Sequence, residues 1–218
     1  MSYSITALTD NYYEGSDCLI NKFNIKDKEQ LAKIEASITL AKTAELEKRP
    51  LMQSFDFEHY KQIHKYLFED LYDWAGIVRI VDISKKGTNF TSAENIVPIA
   101  EACFGRLKEL NYFKGFSFDE FIENITDFYC ATNILHPFRE GNGRTQRIFI
   151  AQLIRFCGYD INFSEIETDE LMIATIHSAN GITDYLKDIF RKNIKKNEPL
   201  RLVFFISFLL PPHYKHRL

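Results

Sequence analysis

The sequence predicts an all-α domain, a helical bundle around one central buried helix, with a single small β-hairpin. Three observations predict it. Glycine and proline are scarce, 9 and 6 among 218 residues, so long helices meet few breakers. Apolar residues recur at three- and four-residue spacing over most of the length. The stretch "RTQRIFIAQLIRFCG", 144 to 158, is apolar nearly all round, the mark of a helix covered on every side.

The elements follow in order. A first helix starts at Asp27, turns Leu31, Ile34, Ile38 and Ala41 to one face, and runs to about Arg49, where Pro50 stops it. A second covers roughly Asp56 to Trp74 and ends before Gly76. Two capping boxes mark helix starts, Thr91 with Glu94 and Ser117 with Glu120. After Ser117, one stripe carries Phe118, Phe121, Ile122, Ile125, Phe128 and Tyr129. Gly158 is placed to end the central helix. The interval "VRIVDISKKGTNF", 78 to 90, has two β-prone arms around a turn glycine. A lone hairpin is marginal, so it leans on the body or on a ligand as a flap, or it is an ordinary connecting loop.

Composition narrows the class. With 45% apolar and 26% charged residues the chain is an ordinary globular protein, long enough to bury a core without disulfides or metals. A net charge of −3 leaves no basic footprint for nucleic acid. Cys18, Cys103, Cys130 and Cys157 form no paired motif and read as free thiols in a reducing cytoplasm. The N-terminus has no apolar signal core. The apolar run "LVFFISFLL", 202 to 210, is too short to span a bilayer; it packs on the body or a partner, or touches a membrane surface.

The chemistry is concentrated in "HPFREGNGRTQR", 136 to 147. A glycine-bearing loop feeding a helix N-terminus presents unpaired N–H groups and partial positive charge, a seat for phosphate. Arg144 and Arg147, three apart, share a helix face, and guanidinium forks suit phosphate oxygens. Both oppose the dipole at that end, an unfavourable placement unless an anion is present. Glu140 could hold a magnesium ion that takes its other ligands from phosphates and water. A neutral His136 could take a proton from a hydroxyl. Pro137 restricts His136 to extended backbone angles, and Phe138 pins the loop into the core. Each feature alone is commonly structural; together, in one loop opening a buried helix, they point to phosphate binding and phosphoryl or nucleotidyl transfer.

The twelve residues fill every fixed position of H-x-F-x-[D/E]-G-N-G-R-x-x-R, and the chain resembles Fic-domain proteins from about residue 12 to 193. The resemblance implies an all-α Fic fold with a β-hairpin flap, spanning 27 to 193. An N-terminal extension, 1 to 26, would pack on it, and a tail of unassigned role, 194 to 218, would follow. It implies transfer of AMP from ATP to a Ser, Thr or Tyr hydroxyl of a target protein, with release of pyrophosphate. His136 would be the base and Glu140 the Mg²⁺ ligand. Asn142, with the backbone of Gly141 and Gly143, would form the anion hole. Arg144 would contact the β- and γ-phosphates, Arg147 the γ-phosphate, and Phe138 would anchor the loop. The flap, Ile83, Ser84, Lys85, Lys86, Gly87 and Thr88, would align a target strand.

Related Doc kinases usually lack the glycine found here at Gly143, which favours AMP transfer; other nucleotide donors and AMP removal occur in the wider family. A non-catalytic nucleotide- or phosphate-binding module would use the same anion hole but would not need His136. Many relatives carry an inhibitory [S/T]-x-x-x-E-[G/N] helix whose glutamate pairs with the second motif arginine, here Arg147. The nearest match is "TAELEK", which has Glu47 but Lys48 after it. The chain therefore resembles the group whose inhibitory helix comes from a small antitoxin partner, with inhibition in cis by this segment or the tail as the alternative.

Overall fold

Asp27 caps α1 (Lys28–Lys48), its carboxylate accepting the N–H of Gln30 at 2.7 Å, and Asp56 caps α2 (Phe57–Phe68) in the same way through His59. The structure, a computed structural model, describes residues 4–5, 11–51, 53–85 and 87–197. The apolar run 202 to 210 and flap residue Lys86 lie outside the described residues. Strand β1 (Ser4–Ile5) precedes the helices; β2 (Ile83–Lys85) and β3 (Thr88–Asn89) form the hairpin. The remaining helices are α3 (Ile96–Glu109), α4 (Phe118–Leu135), α5 (Asn142–Phe156), α6 (Thr168–Ala179) and α7 (Asp184–Asn193). A two-stranded ladder of β4 (Tyr159–Asp160) and β5 (Lys195–Lys196) closes the described chain.

The protein is the predicted helical bundle, and α5 is its central helix. Ten of its fifteen residues, Asn142 to Ile154 with gaps only at Gly143, Arg144 and Arg147, are buried. Phe149 contacts the rings of Phe55, His59, Tyr60, Phe104 and Phe128. Helix α4 supplies the next layer with Phe121, Ile122, Ile125, Phe128 and Tyr129. Its start is the expected capping box: Ser117 Oγ accepts the Glu120 N–H, and Glu120 accepts the Ser117 N–H at 2.9 Å.

Four local expectations are corrected. Helix α1 turns Leu31, Ile34 and Ile38 inward as expected, but Ala41 is exposed and Thr39 is buried in its place, because Glu35, Thr39 and Lys42 are drawn to polar partners on neighbouring elements. Helix α2 ends at Phe68, six residues early. The chain turns there, with the N–H groups of Leu71 and Tyr72 both on the Phe68 carbonyl, so that Tyr72 and Trp74 can stack. Thr91 forms no capping box; its hydroxyl donates to the Ile134 carbonyl, and a short 3₁₀ turn, Ala93–Asn95, begins instead at Ser92. The hairpin is not alone but part of a three-stranded sheet: β2 is the middle strand, paired with β3 on one edge and with β1 on the other, Ser4 opposite Ser84.

Candidate functional site

His136 terminates α4, its N–H donating to the Thr132 carbonyl at 3.3 Å. Its backbone is left-handed, φ 41° and ψ 58°, not extended as the following proline predicted. The Arg79 N–H reaches the Pro137 carbonyl at 2.9 Å and Arg79 Nε the His136 carbonyl at 2.8 Å, which holds this costly conformation in place. Nδ1 lies 3.0 Å from the Asn133 carbonyl, which can only accept, so the proton is on Nδ1 and the lone pair on Nε2. The imidazole is stacked on Phe90. Burial pushes its pKa from 6.5 down to about 3; the Asn133 bond opposes this, and the charges of Lys85 and Arg79 add to it.

Phe138 is fully buried, with His64 stacked on it at 3.8 Å and Tyr60 lying parallel at 5.8 Å. The Asn142 amide spends both its ends on the same residue, accepting the Phe138 N–H at 2.8 Å and donating to its carbonyl at 2.7 Å. Its side chain therefore clamps the loop, and only its backbone N–H remains to face an anion. His64 on α2 binds from the other side. Nδ1 accepts the Gly76 N–H at 2.8 Å, so Nε2–H donates to the Glu140 carbonyl at 2.9 Å. Burial lowers its pKa to about 3, and it is neutral. Gly141 has φ 79°, and a Cβ there would lie 2.3 Å from Phe68 Cζ, so only glycine fits. No side chain caps α5, which leaves its first N–H groups to the cavity.

The two arginines part company. Arg144 turns to α1, with Nη2 on Glu35 at 2.5 Å, Nη1 on Thr39 at 3.3 Å and its plane over Phe68. Glu35 also accepts the Tyr72 hydroxyl. Arg147 folds back so that Nη1 would meet a Gly143 Cβ at 3.2 Å. Burial holds its pKa below the ordinary guanidinium value, and Arg144 adds to this. Among the described residues Arg147 forms no ion pair. Glu140 accepts the Gly141 N–H at 2.8 Å and lies 3.8 Å from Arg144.

These groups line one cavity of about 800 Å³, within the range of small-molecule sites. Its walls include Thr43 and Glu47 of α1, Lys85 and Thr88 of the hairpin, and Leu171 and Ile176 of α6. His136, Glu140, Gly141, Gly143, Arg144 and Arg147 all face it. Of the other hairpin residues, Ile83 is buried as an anchor, Ser84 is half-buried and Gly87 is exposed at the tip. Among the described residues no cluster of three or more His, Cys, Asp or Glu side chains gathers. A single carboxylate beside a phosphate seat suits magnesium, which completes its shell with water and phosphate oxygens.

Sequence reasoning missed His64, Arg79, Glu35 and Phe90. The signals were weak: a histidine on the apolar face of α2 and an arginine inside the apolar run "GIVRIVD".

Comparison with known proteins agrees with the geometry. The model of the Fic/DOC family matches residues 54–154. The chain is 36% identical over 191 residues to the protein adenylyltransferase VbhT of Bartonella schoenbuchensis, covering 84% of this chain but 40% of that protein. It is 34% identical to the "Probable protein adenylyltransferase Fic" of Escherichia coli, covering 84% of this chain and 91% of that one. Among solved structures, the BepC protein of Bartonella tribocorum with bound AMPPNP superposes with a TM-score of 0.80 at 28% identity, over 86% of this chain and 97% of the other. A Fic domain of Bartonella quintana with bound ADP gives 0.81 at 28%, over 86% and 95%. With its motif loop, its central helix and these relatives in agreement, the chain belongs to the Fic/DOC family.

Proposed function

We propose that this protein is a protein adenylyltransferase that moves AMP from ATP to a Ser, Thr or Tyr hydroxyl of a target protein. The observation that carries this is the 3.0 Å contact of His136 Nδ1 with the Asn133 carbonyl, which puts the lone pair of a neutral imidazole on Nε2, at the cavity that begins at the uncapped end of α5. A phosphate-binding module has no need of a base kept neutral by burial.

In this reading the N–H groups of Asn142 and Gly143 hold the phosphates, the Gly141 N–H being taken by the Glu140 carboxylate, and Arg147 meets the γ-phosphate. Arg144, neutralised in part by Glu35, borders the β- and γ-phosphates. As the target oxygen bonds to the α-phosphorus, its proton passes to His136 Nε2, and the bond to the β-phosphate oxygen breaks to release pyrophosphate. Magnesium held by Glu140 would supply further positive charge against the phosphates. The target segment adds to the hairpin as an extended strand. Because β2 has both edges taken, it pairs with β3 or displaces β1.

Regulation follows from Arg147, which forms no ion pair among the described residues. Glu47 faces the cavity from α1 but is exposed and forms no ion pair with Arg147. We propose that a small antitoxin partner lays a helix along α1, where Leu40 is 72% exposed, and inserts a glutamate toward Arg147. Four free cysteines suit a reducing cytoplasm, and among the described residues no helix is long and apolar enough to cross a membrane. The reaction is tested with ATP labelled on either the α- or the γ-phosphorus, offered with Mg²⁺ and a bacterial lysate as acceptor. Label on protein from the α-phosphorus alone is the expected result; label from the γ-phosphorus alone would make the protein a kinase.

A further inference from the structure

Arg79 lies in the apolar run "GIVRIVD" and is only 5% exposed. Its guanidinium is spread over three backbone carbonyls from three segments. Nε donates to His136 at 2.8 Å, Nη1 to Val81 at 2.6 Å and Nη2 to Thr91 at 2.5 Å. Val81 stands two residues before β2, Thr91 two residues after β3, and His136 ends α4. One planar group thus ties both roots of the hairpin to the backbone of the motif histidine.

The fork geometry matters. A guanidinium presents donors in fixed directions, whereas an ammonium is a point charge on a flexible stem. The His136 carbonyl that Arg79 holds belongs to a residue in left-handed conformation before a proline, so its direction is not the chain's own preference. That direction sets the path of the Cα–Cβ bond and with it the aim of the imidazole. The Thr91 carbonyl held by Nη2 follows Phe90, whose ring covers the imidazole at 3.7 Å. Arg79 therefore governs His136 from below, through its backbone, and from above, through the stacking ring.

We propose that Arg79 is a positioning residue that couples the hairpin to His136, so that Nε2 is aimed at the incoming hydroxyl only while the hairpin is seated. The coupling rests on the reading of His136 as the base. It acts on the nucleophile side of the reaction and leaves the phosphate seat at α5 untouched.

The test compares Arg79→Lys, Phe90→Leu and His136→Ala with the parent, all as full-length chains. Three quantities are measured: the rate of α-phosphorus label transfer to lysate protein, ATP affinity by calorimetry, and the His136 tautomer by ¹⁵N-histidine NMR. Misaiming a reacting group by about 1 Å costs on the order of 10²-fold in rate. Arg79→Lys should lose about that factor while binding ATP as the parent does, and its His136 should become a mixture of tautomers. Phe90→Leu should show the same separation of rate from affinity, and it carries the test if the lysine variant does not fold. A parental rate in Arg79→Lys or in Phe90→Leu would overturn the coupling, as would equal losses of rate and ATP affinity. A parental rate in His136→Ala would instead overturn the reading of His136 as the base.

Discussion

The imidazole of His136 lies flat on the ring of Phe90, centroids 3.7 Å apart and planes 12° from parallel. The stack covers one face of the histidine and, with the Asn133 bond, leaves the ring a single orientation. It also joins the hairpin to the motif loop, two parts of the chain almost fifty residues apart.

Burial of this ring has a measurable consequence in acid. His136 and His64 both have pKa values near 3 in the folded chain against 6.5 when unfolded. Between those values the unfolded chain binds protons that the folded chain does not, so stability falls as pH drops from 6.5 toward 3 and is flat above about 7. From pH 7 to 5 the loss is about 2 kcal/mol per histidine. Urea midpoints measured across that range should show it, and His136→Asn should remove about half of the dependence contributed by the pair.

Asn142→Ala leaves the Phe138 N–H and carbonyl buried without partners. Each unsatisfied group costs about 1–3 kcal/mol, so the variant should lose several kcal/mol of stability and, with the loop released, its ATP affinity. Thermal melting and calorimetry check this; an unchanged melting temperature would contradict the clamp.

Gly141→Ala should be worse for the loop than Gly143→Ala. The first sets a Cβ against Phe68 at 2.3 Å with φ 79°, whereas the second meets only the movable end of Arg147 at 3.2 Å. Forcing a non-glycine residue into such a backbone costs about 1–3 kcal/mol before the clash is counted. Gly143→Ala should keep the fold and weaken ATP binding by displacing Arg147; equal melting temperatures for the two variants would refute the distinction.

The fold and the site differed in how far the sequence disclosed them. The motif loop was legible because its residues are neighbours: Phe138, Asn142 and Gly141 complete one local structure. The Ser117 box was legible for the same reason, since Glu120 lies within one turn. Thr91 offered the same pattern but was claimed by the Ile134 carbonyl, a partner 43 residues away. Glu35, which holds Arg144 across 109 residues, carried no local signal, because its partner exists only once α1 packs beside α5. His136 was misread in its backbone because the proline rule weighs one neighbour, while Arg79 and Asn133 hold the residue from elsewhere.

Glu47→Gly should leave label transfer by the purified chain unchanged, because Glu47 forms no ion pair with Arg147, and inhibition by a separate partner predicts the same for an ending at Pro199. Arg147→Ala should abolish inhibition by a helical partner while weakening ATP binding. Strong activation by either of the first two changes would place the inhibitor within the chain.

AMP transfer turns on His136 as the base, and His136→Ala measured with α-labelled ATP tests that role most directly. A general base contributes about 10²–10⁴-fold, so transfer to protein should fall by that factor while calorimetric ATP affinity stays at the parental value. Transfer undiminished in the variant, or an equal fall in ATP affinity, would contradict the assignment of the base to His136 and of the phosphates to α5.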